Sequence, residues 1–157
     1  MPAPHHPPSN PPDQPPQWFL FGPWAFDITA AAAILRNEPR ETVTLPVAPW
    51  ARAYGLDRDP GTDTTTIPLL GPGPGFDSRY AMTTDLTRPV IIATVHGSDP
   101  GERLALLIDG THRLYKGHAT GAAQLPAWVL TPAETLAIRA PRGSRATRRP
   151  GTGRSGR

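Results

Sequence analysis

The clearest alternation of apolar and polar positions lies between residues 84 and 139. Residues 90–95 form an apolar run of strand length, Val90, Ile91, Ile92, Ala93, Thr94 and Val95, suited to a buried strand. Gly97, Ser98, Asp99, Pro100 and Gly101 make a turn, and residues 103–108 form a second buried strand, antiparallel to the first. Asp109-Gly110 breaks that strand. Thr111 can cap a helix running to about Thr120, where Gly121 stops it. Residues 125–130 read as a further strand. Thr131-Pro132-Ala133-Glu134 has capping-box spacing with Pro at the first helical position, so a last helix runs from Pro132 to about Arg139.

The first half is less regular. Trp18, Phe19, Leu20, Phe21, Trp24 and Phe26 surround Gly22-Pro23 and predict a segment packed on the core; an exposed partner-binding patch is the alternative. Asp27 or Thr29 can cap a helix through Ala33, Ile34 and Leu35 that ends at Pro39. Val43, Leu45 and Val47 alternate, which predicts a strand over 42–47, at an edge because of Pro46. Residues 49–54 read as a short helix with Gly55 after it. Residues 57–80 read as a mobile loop, and their scattered Asp57, Asp59 and Asp63 lack the ligand ladder and closing Glu of a calcium loop. The elements add up to an α+β domain: a small mixed sheet with flanking helices.

Composition changes this picture mainly at the ends. Much of the Pro and Gly falls in residues 1–17 and 140–157, so the foldable part is residues 18–139, between a Pro-rich and an Arg-rich disordered tail. The formal charge of +3 is uneven: six Arg and no acid lie between Arg142 and Arg157, while residues 18–139 hold ten Lys/Arg against twelve Asp/Glu. The domain is therefore mildly acidic, and the tail is the part that can condense on nucleic acid by releasing counterions. With no Cys, disulfides, thiolate metal sites and cysteine catalysis are excluded. No run of 18 apolar residues predicts a membrane span, and the N-terminus lacks the pattern of a secretory signal, so a cytoplasmic protein without a membrane partner is expected. Arg outnumbers Lys fifteen to one amid abundant Ala, Gly and Pro, as in GC-rich bacterial coding sequences.

The chemistry concentrates at Asp109-Gly110-Thr111-His112-Arg113. A helix N-terminus offers unpaired N–H groups and the positive end of the helix dipole. Gly110 would let a ligand approach the backbone. His112 and Arg113 fall in the first turn, and Lys116 shares a helix face with either, so the group suits an anion such as phosphate. Asp109 can orient His112, hold a metal ion beside phosphates, or act as a base. The plainer reading is also open: an ordinary turn, an ordinary cap, and Arg113 paired with Asp109. His96 and His118 read as structural.

The order strand, turn, strand, D-G-T-H-R, helix, Gly, strand ending in Thr resembles the ParB/sulfiredoxin superfamily over Thr84 to Arg139, about 56 residues. Its members place a G-x-H-R or G-E-R-R type motif between a core strand and a helix, as a cradle for nucleotide phosphates. The resemblance implies nucleotide binding by Gly110, Thr111, His112 and Arg113, with Lys116 alongside. Asp109 and His112 are the catalytic candidates if the chain is an NTP-dependent hydrolase or kinase, with Mg²⁺ and ATP or CTP as cofactors. Sulfiredoxins carry a catalytic Cys where Thr111 stands, so that reductase chemistry is excluded. The free-serine kinases' D-G-H-H-R differs only at Thr111. ParB partition proteins carry a helix-turn-helix domain for which residues after Arg139 leave no room, so centromere binding is not expected. The alternative is a non-enzymatic accessory protein that binds nucleic acid or a protein partner through its tails.

Overall fold

The apolar runs of the second half assemble into one sheet. The computed structural model of the protein describes residues 15–57 and 76–143. The Pro-rich segment to residue 14, residues 58–75 and the Arg-rich segment from 144 lie outside the described residues, as do the loop and tail expectations placed on them. The elements are β1 (Trp18–Phe21), β2 (Trp24–Asp27), α1 (Ile28–Asn37), β3 (Val43–Pro46), α2 (Val47–Ala53) and α3 (Ser78–Thr83). They continue with β4 (Val90–His96), β5 (Arg103–Asp109), α4 (Thr111–Ala119), β6 (Gln124–Val129), α5 (Pro132–Ile138) and β7 (Arg139–Pro141). The fold is α+β, with a four-stranded sheet in the order β3-β6-β4-β5 and a three-stranded sheet β1-β2-β7.

In the larger sheet β4 runs parallel to β6 and antiparallel to β5, while β3 is antiparallel to β6. Val90, Ile91, Ile92 and Ala93 are all buried, as a strand with neighbours on both sides requires. Pro126 is tolerated in β6 because the pairing with β4 begins only at Ala127. The open edge at β5 is closed at one point by Tyr54, whose hydroxyl accepts from the Leu107 N–H at 2.6 Å and donates to its carbonyl. Burial pushes that phenol up to about 12.

Helix α1 is capped by Asp27, which accepts from the Ala30 N–H at 2.9 Å, and buries Ile28, Ala31 and Leu35 along one face. The capping box at Thr131 and Glu134 is formed in full. The aromatic segment packs on the core as expected, with Phe26 buried and Phe19, Phe21 and Trp24 against it; it does so as a hairpin turning on Gly22 (φ 55°), whose second strand pairs with β7. Two expectations are corrected. The ordered fold therefore passes the expected limit at Arg139 by way of Ala140 and Pro141, and Arg142 N–H donates to Pro23 O. Sheet pairing is made by backbone groups, so the lack of apolar side chains there did not matter. Second, residues 78–83 are helical, capped by the Asp77 carboxylate on Tyr80 N–H, although only Ala81 is buried and no apolar period marks them.

Candidate functional site

The strand β5 ends at Asp109 just beyond a bulge: Ile91 pairs with Asp109 but Ile92 pairs with Leu107, leaving Ile108 as the extra residue. Such bulges re-aim the side chains beside them. The chain then turns through Gly110 at φ 105°, in the left-handed region. A Cβ there would lie 2.4 Å from Val90 Cγ1 and 3.2 Å from Arg113 Nη2. Glycine is thus required by the packing of the chain itself, where the sequence reading assigned it to ligand approach. Gly110 rather than Thr111 is the N-cap of α4, and it has no side chain with which to cap the helix. Thr111 is the first helical residue, so no threonine hydroxyl takes up the first-turn N–H groups in the way a cap would.

This corner opens on a cleft of about 490 Å³. Asp109, Gly110, His112 and Arg113 line it; Thr111 and Lys116 do not. Arg113 is built into the wall. One amino group donates to Arg88 O and Pro89 O at 3.2 and 2.9 Å, the other to Asp109 at 2.8 Å, and the side chain is only 11% exposed. Asp109 is therefore paired with Arg113 and does not orient His112. The His112 ring stacks on Phe76 (centroids 4.6 Å apart, planes at 10°) and meets Tyr80 edge-on at 5.1 Å. The Lys116 ammonium donates to Thr84 O and ties α4 to the end of α3.

No family model matches the chain. Neither a curated protein nor a solved structure matches it either.

The other wall comes from residues that sequence reasoning missed. Tyr80, Thr83, Thr84, Asp85 and Arg88 follow from α3 and the link to β4, and Gln17, Ile28, Thr29 and Ala32 come from α1 and the residues before β1. Arg88 is exposed, and its side chain makes no hydrogen bond or ion pair with the described residues. Asp85 accepts from the Thr87 hydroxyl at 2.7 Å and its N–H at 2.9 Å, and these bonds hold its carboxyl below the usual range. The spacing of Asp85 and Thr87 was the one signal in that stretch, an Asx turn by pattern. Two arginines and two aspartates line the cleft, and one arginine is neutralised by its neighbour. The helix end and Arg88 favour an anion, against the charge of the neighbouring Asp85. Among the described residues no group of three or more His, Asp or Glu is placed to hold a metal ion, and no helix is long and apolar enough to cross a membrane.

Proposed function

We propose that this is a domain of the ParB/sulfiredoxin type that binds the phosphates of a nucleotide at the head of α4. The observation that carries the reading is the convergence of a helix N-terminus and an exposed guanidinium on one cleft. The N-terminus of α4 has a glycine for its cap, and the exposed Arg88 makes no hydrogen bond or ion pair among the described residues, its charge felt by nearby Asp85. Amide groups at a helix start and a guanidinium are the groups that hold phosphate. His112, held between Phe76 and Tyr80, stands on the same rim. Mg²⁺ would arrive with the phosphates. Asp85 and Asp109 are the carboxylates on the cleft that could share it, because such ions need only one or two protein carboxylates.

NTP hydrolysis or phosphoryl transfer would fall to Asp109 and His112. Asp109 would have to loosen its bond to Arg113 to accept a proton. That bond favours the second reading, an accessory protein that binds without catalysis and takes nucleic acid with its Arg-rich end. Calorimetry of the full chain with ATP, CTP, GTP and ADP in Mg²⁺ tests the first reading. Saturable binding is expected, weakened about tenfold in Arg88→Ala, a loss of roughly 1.4 kcal/mol. A folded parent that binds none of the four would sink it. A chain ending at Gly143 that loses nucleic-acid binding, in a parent that ignores nucleotides, would favour the second.

A further inference from the structure

Arg88 stands on the link from Thr84 to Pro89, which joins α3 to β4 and belongs to no helix or strand. The carbonyls of such a segment must find donors outside the regular ladders. Three of them find donors on α4. The Lys116 ammonium donates to Thr84 O, and one Arg113 amino group donates to Arg88 O at 3.2 Å and to Pro89 O at 2.9 Å. Arg113 and Lys116 lie at i and i+3 on α4, so they share a helix face and reach the two ends of the link.

Between these anchors the link folds on itself. Asp85 accepts from the Thr87 hydroxyl and N–H, and Arg88 N–H donates to Asp85 O at 3.3 Å, which closes a turn over residues 85–88. Leu86 packs against the core from within that turn. The backbone of Arg88 is thus bonded through both its N–H and its carbonyl, while its side chain is exposed and lines the cleft. Lys116 does not line the cleft. Arg113 does, but its two amino groups are taken up by Arg88 O, Pro89 O and Asp109. The two cations of α4 are therefore directed at the segment that carries Arg88.

We infer that Arg113 and Lys116 are positioning residues: they clamp the link from Thr84 to Pro89 so that Arg88 meets a phosphate, and they act on that ligand only through Arg88. The inference rests on the phosphate reading of the α4 end. It reverses the assignment that charge and helix spacing suggest, in which both cations touch the ligand themselves. With the backbone held on both sides of Arg88, only its side-chain torsions are left to order when an anion binds, and a smaller ordering cost means tighter binding.

Lys116→Met tests it, because the substitution keeps an apolar stem and removes the donor. A thermal melt checks that the variant folds, and Lys116→Leu takes its place if it does not. Calorimetry with ATP, CTP, GTP and ADP in Mg²⁺ is run on the full chain, on Lys116→Met, on Arg88→Ala and on the double variant. Lys116→Met is expected to weaken the best-bound nucleotide about fivefold in the parent, and by less than about twofold in the Arg88→Ala background. A loss of about fivefold in both backgrounds would mean that Lys116 serves the ligand by itself or that its removal loosens the whole site, and it overturns the inference. So does a Lys116→Met chain that binds like the parent. Amide hydrogen exchange reads the clamp without a ligand. The bonded N–H groups of Thr84, Thr87 and Arg88 should exchange about tenfold faster in Lys116→Met, with those of Ile92 and Ala93 in β4 unchanged. Unchanged exchange in the link overturns the clamp whatever the ligand does. A folded parent that binds none of the four nucleotides overturns the phosphate reading and the role of Arg88 with it, whereas faster exchange in the variant would leave the clamp standing.

Discussion

Two of the arginine–carboxylate pairs among the described residues look alike in chemistry and differ in surroundings. At one, Arg40 grips both oxygens of Glu134, at 2.8 and 2.6 Å, and also donates to Val129 O. Glu134 in turn accepts from Thr131 N–H at 2.7 Å, and both side chains are largely covered. At the other, Arg113 holds one oxygen of Asp109 and two backbone carbonyls, while Asp109 stays 37% exposed on the wall of a cleft. The first pair is closed on itself and bolts β6 and α5 to the start of β3. The second is half open: its arginine is scaffold, and its carboxylate has an oxygen outside that bond and faces the cleft. A short distance between charges thus says little by itself; what each partner still has to offer separates a bolt from a site.

The largest effect that can break this comparison comes from Arg113. Arg113→Ala would leave Asp109 and the carbonyls of Arg88 and Pro89 without their donor, and should cost about 3 kcal/mol of stability, read as a lowered midpoint in urea. A variant as stable as the parent would mean that Arg113 is not scaffold and is free to serve a ligand after all. It would also restore this residue as the phosphate group that the sequence suggested.

Glu134→Gln is the matching test of the closed pair. It keeps the shape and loses the charge, and should cost about 2 kcal/mol, judged against a bidentate pair that remains partly solvated. Its signature is pH. The Arg40 hydrogen bonds, then those from Thr131, lower the Glu134 carboxyl from its ordinary 4.5 to about 2, against the opposing effect of burial. A folded-state value below the unfolded one means the stabilisation is present above about pH 4.5 and is lost as pH falls toward 2. Parent and variant should therefore converge in stability over that window. Parallel curves from pH 6 to 2 would show that the pair contributes no net charge term. Arg40→Lys should fall lower on the scale, at about 1 kcal/mol, because an ammonium cannot match the two-pronged contact.

These pairs also show what was legible in the sequence and what was not. Asp109 and Arg113 are four residues apart across a helix start, so their pairing could be read as an alternative to a ligand site. Arg40 and Glu134 are separated by 94 residues, and no local pattern relates them. The strands β4, β5 and β6 were legible because buried runs bounded by turn residues leave few choices. Helix α3 was not, because six residues with one buried alanine carry no period. The cleft suffered for it: Tyr80 comes from that helix, and Thr84 and Arg88 from the link that follows it. The cap of α4 was assigned to Thr111 by residue preference. The backbone at Gly110 and the packing of Val90 against it decided otherwise.

The smallest expected effect on stability is the most informative for function. Asp109→Asn keeps an oxygen for Arg113 and removes one negative charge from the cleft. Since Asp109 is more than a third exposed, the ion pair should contribute only about 0.5 kcal/mol, and the variant should melt close to the parent. If the α4 end holds phosphate, removing that charge lowers repulsion, and nucleotide affinity should rise by a few-fold at low ionic strength and less at high salt. If Asp109 acts as a base, the same variant should bind nucleotide and lose turnover, since an amide cannot accept the proton. Binding and turnover measured side by side on this one variant separate the roles. Tighter binding with turnover unchanged would leave Asp109 as a charge beside the phosphates. Weaker binding would mean that Asp109 contacts the ligand through a cation and that Mg²⁺ is held at this corner.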